Sequence, residues 1–360
     1  MKYHFTRIAV KIGSNVLTRQ DGTLDVTRVS ALVDQIAVLY KAGIEVILVS
    51  SGAVASGRSE IKPSKKLDSV DQRQLFSAVG QAKLINRYYE LFRDHGISVG
   101  QVLTMKENFS TRRHYLNQRN CMMVMLENGV IPIVNENDTV SVTELMFTDN
   151  DELSGMIASM MDVQALVILS NVDGIYNGPP SDPNSKVILE VEPGKDLSDY
   201  IQTEKSGFGR GGMLTKTTIA RKVADEGITV IIANGKKENV LLDLLEHPET
   251  TVCTRFVPMQ ADVSSVKKWI AHSGGFAKGE LHLNEKAVVV LKGDKAVSVL
   301  PVGVVRIEGD FEKDDIVKLK DHAGRQIGIG RIAFDSEEAR QMIGKHAQRA
   351  LVHYDYLYLE

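Results

Sequence analysis

The chain has 360 residues, a net charge of −3 and a pI of about 6.3, and its apolar and charged fractions are those of an ordinary globular protein. This length predicts two or three domains, and the charge argues against a strongly basic nucleic-acid-binding surface. The sequence has no apolar run long enough for a membrane helix and no secretory signal. Its two cysteines have neither metal-binding nor disulfide spacing, so we expect a cytoplasmic protein.

Short apolar runs alternate with helical patterns over about the first 255 residues. The runs are apolar on both faces, as parallel strands covered by helices are. They comprise residues 8–12, 46–49, 99–103, 131–134, 166–169 and 230–233. Helical spacing is found over residues 27–40, 71–92, 112–126, 152–161, 213–225 and 238–245. This alternation predicts an α/β fold with an open, mostly parallel sheet sandwiched by helices.

The pattern changes after about residue 255, where short strand-like runs are separated by turn signals. We predict strands over residues 287–291, 296–300, 304–307, 316–319 and 327–332. The sequence therefore predicts a first domain over 1–256, a linker over 257–274 and a small β-rich domain over 275–360.

The first predicted strand carries a lysine near its end, among apolar residues. Lys11 precedes Gly13 and Ser14 in AVKIGSN, and ligands of such sheets bind beyond the carboxyl ends of the strands. A lysine at this point suits a phosphoryl group in transfer. A solvated lysine at the sheet edge is about equally compatible with this segment alone.

The segment after the second strand looks like a nucleotide-binding P-loop with one substitution. In GAVASGRS, Gly52 is followed after four residues by Gly57, but Arg58 stands where that motif has lysine. We interpret the letters as a chance match and the start of the segment as the feature that matters. Ser51 and Gly52 would lie at a helix N-terminus, which favours anions, although a plain helix cap explains them too.

The fourth strand and the segment after it carry the densest polar constellation, in NENDT and FTDND. Asn135 and Asp138 occur in the first, and Asp149, Asn150 and Asp151 in the second. Amides and carboxylates together suit a small zwitterion. Asp151 could also hold lysines or Mg²⁺, and Asp149 or Asn150 could cap a helix. Two turn-rich loops are the simpler alternative, and they account poorly for two such clusters so close in sequence.

A glycine-rich segment, SGFGRGGMLTK, precedes the helix predicted from residue 213. It fits the dinucleotide pattern Gly-x-Gly-x-x-Gly, but no strand precedes it. We interpret it as a flexible loop over nucleotide phosphates, with Lys216 pointing back from the helix. A flexible connector with a solvated lysine is the alternative.

Five segments together resemble those of glutamate 5-kinases, which belong to the amino acid kinase superfamily. They occur in the same order and spacing: AVKIGSNVL, VSSGAVASGR, IPIVNENDTV, FTDNDELSG and GFGRGGMLTK. The β-rich tail resembles the PUA domain that many bacterial members carry. The resemblance implies ATP-dependent phosphorylation of the side-chain carboxylate of L-glutamate, the first step of proline biosynthesis, with Mg²⁺ carried mainly by ATP and no protein metal site.

The resemblance also implies roles for individual residues. Lys11 and Lys216 would stabilise the transferring phosphoryl group, and Asp151 would orient both lysines. The acceptor site would comprise Ser51, Gly52, Asn135, Asp138, Asp149 and Asn150. The ATP site would comprise Lys11, Gly13, Ser170, Asn171, Gly209, Arg210, Gly211, Gly212, Met213 and Lys216. Two of these depart from the family pattern, because Asn171 stands where an aspartate is common and Arg210 where a small hydroxyl residue is expected.

The resemblance implies L-glutamate and ATP as partners, a homodimer or homotetramer, proline as a feedback inhibitor and functional coupling to glutamyl phosphate reductase. Aspartate kinase is an alternative that differs by one methylene in its substrate. Uridylate kinase is disfavoured, since the acidic loops would repel a phosphate acceptor. RNA binding through the tail is a further alternative. Residues 271–360 hold thirteen Lys or Arg and fourteen Asp or Glu residues, and this balance disfavours nucleic acid as a partner.

Overall fold

The computed structural model describes residues 4–140, 147, 149–179, 182–195, 197, 212–259, 265–293, 296–346 and 348–359. The chain divides into two compact units. The first unit comprises residues 1–107 and 117–262, and the second comprises residues 108–116 and 263–360. Within the described ranges, no helix combines the length and apolar character that crossing a membrane requires.

The first unit is built on an eight-stranded sheet. Its strands are β1 (Arg7–Ile12), β2 (Glu45–Ser50), β3 (Ser98–Thr104), β4 (Val130–Glu136), β5 (Ala165–Ser170), β6 (Glu190–Val191), β7 (Thr229–Asn234) and β8 (Thr254–Phe256). Their order is β3-β4-β2-β1-β5-β7-β8-β6, and every described pairing is parallel except that of β7 with β8. The predicted open, mostly parallel α/β sheet is therefore confirmed.

Helices cover this sheet. They are α1 (Ser14–Leu17), α2 (Val26–Lys41), α3 (Ala53–Arg58), α4 (Ser69–Asp94), α5 (Arg112–Glu127), α6 (Asn150–Met160), α7 (Met213–Asp225) and α8 (Val240–Glu246). All six strands and six helices predicted for this part of the chain are present. The agreement has a simple cause in the central strands: β1, β2 and β5 are buried on both faces, so their apolar character is continuous and easily seen.

The alternation of side chains along β1 decides where its lysine lies. Ile8, Val10 and Ile12 belong to the same core cluster as residues of α2 and α8. Lys11 falls between them and therefore points to the opposite face, where α6 contacts β1.

Helices α3 and α4 touch through their backbones at two glycines. A Cβ atom on Gly57 would lie 1.9 Å from the carbonyl oxygen of Phe76, and one on Gly80 would lie 1.8 Å from that of Ala53. No side chain fits at either position. The second glycine of the P-loop look-alike therefore has a packing role, and α3 ends one residue later, at Arg58.

The second unit contains a five-stranded sheet. Its strands are β9 (Gly279–Leu283), β10 (Val304–Glu308), β11 (Ile316–Lys320), β12 (Gln326–Ile332) and β13 (Val352–Leu359), and its helices are α9 (Ser265–Ala271), α10 (Glu285–Leu291) and α11 (Ser336–Met342). The strand order is β10-β9-β11-β12-β13, with only β9 and β11 parallel among the described pairings. The predicted β-rich character is confirmed.

Two of the strands predicted here are wrong. Residues 287–291 lie in α10, whose N-cap Asn284 accepts a hydrogen bond from the Ala287 N–H at 2.8 Å. The valine run suggested a buried strand, but Val289 is 71% exposed. Residues 296–300 form only one bridge, between Val299 and Val352. The sequence reading also missed β9, although its alternating burial is typical of a strand with one buried face.

Candidate active site

Two lysines from distant parts of the chain bind one buried aspartate. The Nζ atom of Lys11 lies 2.5 Å from Oδ1 of Asp151, and the Nζ atom of Lys216 lies 2.9 Å from Oδ2. The Asp151 side chain is 1% exposed, and those of Lys11 and Lys216 are 5% and 12% exposed. The three residues predicted to act on the phosphoryl group are therefore together, with a net charge of +1.

Local structure on α6 positions this aspartate. Asp149 is the N-cap of the helix, and its Oδ1 accepts hydrogen bonds from the N–H groups of Asp151 and Glu152 at 2.9 and 3.0 Å. Further along α6, a Cβ atom on Gly155 would lie 2.6 Å from Cγ2 of Ile219 on α7. The glycine lets the two helices approach closely enough for Lys216 to reach Asp151.

Burial and charge act in opposite directions on Asp151. Burial alone would raise its pKa, but the two adjacent ammonium groups outweigh burial and lower the pKa of Asp151 to about 2. The carboxylate therefore stays ionised at neutral pH. Each of its two oxygens contacts one lysine ammonium group.

All six predicted acceptor-site residues line one cavity of about 430 Å³ at the carboxyl ends of the central strands. They are Ser51, Gly52, Asn135, Asp138, Asp149 and Asn150. The P-loop look-alike contributes Ser51 and Gly52, and Gly52 is the N-cap of α3. The cavity is large enough for an amino acid, and it contains carboxylate, amide and hydroxyl groups.

Asn150 connects the strand ends around this cavity. Its Nδ2 atom lies 2.9 Å from the carbonyl oxygen of Ser50, 3.0 Å from Oγ of Ser51 and 3.0 Å from Oδ1 of Asn135. The amide of Asn135 in turn donates to Oε1 of Gln81 on α4 at 2.8 Å. The ends of β2, β4 and α6 are thus held together by side-chain hydrogen bonds.

Asp138 is paired with an arginine that the sequence reading did not single out. Nε of Arg73 lies 2.8 Å from Oδ1 of Asp138, and Nη2 lies 2.8 Å from Oε2 of Glu136. Arg73 and Gln81 both lie on α4. The sequence does not single them out, because a polar residue on a long amphipathic helix is most often solvated. Their partners are more than fifty residues away in the sequence, so no local signal marks them.

Asp149 has one carboxylate oxygen that the described residues leave unsatisfied. Its Oδ2 atom is buried and has no hydrogen-bond partner among them. Burial, reinforced by the negative charge of Asp151, raises the pKa of Asp149 to about 6, and Lys11 only partly offsets this. At neutral pH, Asp149 therefore carries a buried and poorly compensated negative charge.

Asp149→Asn is expected to stabilise the protein at pH 8. An asparagine retains the capping oxygen and removes a poorly solvated charge, which corresponds to a gain of roughly 1–3 kcal/mol. Because the folded pKa is above the unfolded value, the wild type is penalised as the pH rises. The gain should therefore grow between about pH 4 and pH 6 and stay constant above pH 6.

Urea denaturation at pH 5, 6 and 8 measures this difference. Asp68→Asn is the matched control, because Asp68 caps α4 in the same way from an exposed position. A variant no more stable than the wild type at pH 8 would contradict the expected burial cost.

The predicted ATP site is only partly described. Ser170 ends β5 and is buried, and Asn171 follows it. Gly212 is the N-cap of α7, and Met213 is its first residue. Gly209, Arg210 and Gly211 lie outside the described residues. The backbone N–H of Gly13 donates to the carbonyl oxygen of Leu169 at 3.0 Å, so this hydrogen already has an acceptor in the protein.

Comparison with known proteins agrees with this architecture. A family model described as the amino acid kinase family matches residues 6–234, and a PUA domain model matches residues 279–354. A glutamate 5-kinase of Bacteroides thetaiotaomicron is 76% identical over 360 residues and 100% of each chain. One of Chlorobaculum tepidum is 45% identical over 99% of this chain and 98% of that protein. The isopentenyl phosphate kinase substrate complex shares the fold with a TM-score of 0.50 at 17% identity, covering 70% of this chain and 100% of that one.

The chain therefore belongs to the amino acid kinase family, and it carries a C-terminal PUA domain. Within that family it is a member of the glutamate 5-kinases.

Proposed function

We propose that this protein transfers the γ-phosphoryl group of ATP to the side-chain carboxylate of L-glutamate, giving L-glutamyl 5-phosphate and ADP as the first step of proline biosynthesis. One observation carries the proposal. The six residues assigned to the acceptor line one cavity, and two of them, Asp149 and Asn150, directly precede Asp151, which binds Lys11 and Lys216. Membership of the glutamate 5-kinase family supports the choice of substrate.

The reaction requires positioning and charge compensation and no general base. An unperturbed glutamate side chain has a pKa of about 4.3, so the acceptor is already ionised at neutral pH. One of its oxygens attacks the γ-phosphorus as the bond to the β–γ bridging oxygen breaks, and ADP leaves with that oxygen. Lys11 and Lys216 offset the repulsion between the two anions, and Asp151 keeps both ammonium groups in place.

Magnesium fits this site as a companion of the nucleotide. Both oxygens of Asp151 contact lysines, and the phosphates of ATP would supply the main ligands. Mg²⁺ bound to those phosphates would neutralise charge on the transferring group. Asn171 and the segment from Gly209 to Lys216 would contact the nucleotide. Asn171 and Arg210 would make this contact differently from the residues usual at their positions.

We further propose that residues 1–256 carry the activity in the cytoplasm, that residues 257–274 link the domains, and that residues 275–360 serve regulation or assembly. Family membership supports a homodimer or homotetramer, inhibition by proline and functional coupling to glutamyl phosphate reductase. Proline at millimolar concentration should then shift the saturation curve for L-glutamate, and an unchanged curve would count against inhibition.

A hydroxylamine trap tests the reaction directly. Acyl phosphates react with hydroxylamine to give coloured hydroxamates, so the protein is incubated with MgATP, hydroxylamine and one candidate acceptor at a time. The acceptors are L-glutamate, L-aspartate, N-acetyl-L-glutamate and UMP. Colour with L-glutamate alone is the expected result. Colour only with L-aspartate would overturn the proposal in favour of aspartate kinase, and ADP release only with UMP would indicate a uridylate kinase.

A further inference from the structure

The Arg73 guanidinium forms one wall of the acceptor cavity together with two carboxylates. Its Nε donates to Oδ1 of Asp138 at 2.8 Å, its Nη2 donates to Oε2 of Glu136 at 2.8 Å, and Nη2 also contacts Oδ1 of Asp138. All three residues line the cavity. The side chains of Glu136 and Asp138 are 3% and 10% exposed, and that of Arg73 is 21% exposed. The pairing thus joins α4 to the end of β4 and the turn that follows it.

This arrangement holds both carboxylates in fixed positions. Glu136 also accepts a hydrogen bond from the Phe147 N–H through its other oxygen, at 2.9 Å. Two nitrogens of one guanidinium, Nε and Nη2, both contact Oδ1 of Asp138, so Arg73 ties this oxygen to the cavity wall.

The cluster contains two negative side chains and one positive side chain. Arg73, Glu136 and Asp138 sum to a net charge of −1 at the cavity wall. Arg58 is the other cation that lines the cavity among the described residues, and it is exposed and lies over the Phe76 ring at 5.7 Å. The excess of negative charge in this cluster would attract an ammonium group that enters the cavity.

We propose that Arg73 is a positioning residue that holds Asp138 as the receptor for the α-ammonium group of the acceptor, so that Arg73 selects amino dicarboxylates over dicarboxylates without an amino group. This inference rests on the proposed function. Direct binding of the acceptor's α-carboxylate by Arg73 is the competing role. It is disfavoured because the guanidinium already faces two acids, whose negative potential opposes a third carboxylate.

Truncated acceptors separate these two roles. Glutarate is L-glutamate without the amino group, and 4-aminobutyrate is L-glutamate without the α-carboxylate. The kcat and KM for each acceptor are measured from ADP release for the wild type, Arg73→Gln and Arg73→Lys. Where a truncated acceptor is not turned over, its inhibition constant against L-glutamate replaces KM. Arg87→Gln is the matched control, since Arg87 lies on the same helix in an exposed pair with Glu90.

Arg73→Gln is expected to raise the KM for L-glutamate on the order of thirtyfold with a much smaller change in kcat, as loss of one member of a buried charge pair would. The KM or inhibition constant of 4-aminobutyrate is expected to rise by the same factor, whereas that of glutarate should be unchanged. Arg73→Lys retains a cation beside both acids, which protects the fold, and it should show a smaller rise with the same acceptor pattern.

Equal losses with all three acceptors would show a purely structural role and overturn the inference. A rise in KM or inhibition constant that persists with glutarate and disappears with 4-aminobutyrate would instead establish direct contact between Arg73 and the α-carboxylate. That result would also overturn the inference. Wild-type kinetics in both variants would contradict any role for Arg73. A wild-type protein that turns over none of the acceptors contradicts the proposed function itself, which is a separate result.

Discussion

Replacing Lys11 or Lys216 with alanine is expected to lower kcat by about 100- to 1000-fold while changing the KM for L-glutamate far less. Both ammonium groups are buried and fixed by Asp151, so they can stabilise charge on the transferring phosphoryl group without rearrangement. The acceptor cavity is lined by other side chains, which the substitutions leave intact. Steady-state ADP release with L-glutamate and MgATP as the varied substrates measures both effects.

The fold should survive either single substitution, because Asp151 keeps the other lysine as its counter-ion. Lys83→Ala is the matched control: Lys83 pairs with Glu60 on the surface and does not line the acceptor cavity. Near-wild-type turnover in either the Lys11 or the Lys216 variant, with a wild-type unfolding curve, would refute the assignment of these lysines to the phosphoryl group.

Asp151→Asn is expected to abolish most activity and, unlike the lysine variants, to destabilise the protein by about 3–5 kcal/mol. The substitution removes the carboxylate charge that both buried ammonium groups bind. Their mutual repulsion should also displace them from the positions that the transfer requires. Urea denaturation measures the loss of stability, and ADP release measures the loss of activity.

The pH dependence of this stability difference is a second test. The pKa of Asp151 is lowered below its unfolded value, so its contribution is present above that value and is lost only as the pH falls toward 2. Because the charge of Asp151 also helps to raise the pKa of Asp149 to about 6, the difference between wild type and Asp151→Asn should be constant only between about pH 7 and pH 8, where Asp149 is ionised in both proteins. Asp162→Asn is the control. Asp162 forms a half-exposed pair with Arg119, so this substitution should lower the free energy of unfolding only slightly. A variant as stable as this control would contradict the charge argument.

The fold of the first unit was predictable because its central strands are buried on both faces. A continuous apolar run such as that of β5 can be told from a helical segment by its sequence alone, without knowing which elements pack against it. The secondary structure of the second unit was harder to predict. Its valine run in α10 reads as a strand but lies on an exposed helix, whereas β9 alternates between buried and half-buried positions. Whether a short segment of this kind forms a helix or a strand depends on which of its faces the rest of the unit covers.

The candidate site was predicted in part. The polar residues at the strand ends indicated where a ligand would lie, and the family resemblance sorted them into acceptor and phosphoryl residues. Their contact with substrates stays a prediction. Arg73 and Gln81 could not be found, since α4 offers many polar residues and its periodicity does not say which of them face a cavity.

The amino-acid sequence alone determined the parallel α/β architecture, the presence of a smaller β-rich domain and the chemical types gathered beyond the strand ends, because these depend on local hydrophobic pattern and residue identity. Only the tertiary structure decided that one aspartate holds two lysines that are 205 positions apart, that Asp149 carries a raised pKa and that Arg73 grips Asp138. Burial and charge pairing act through space, between residues whose distance along the chain carries no information about their contact.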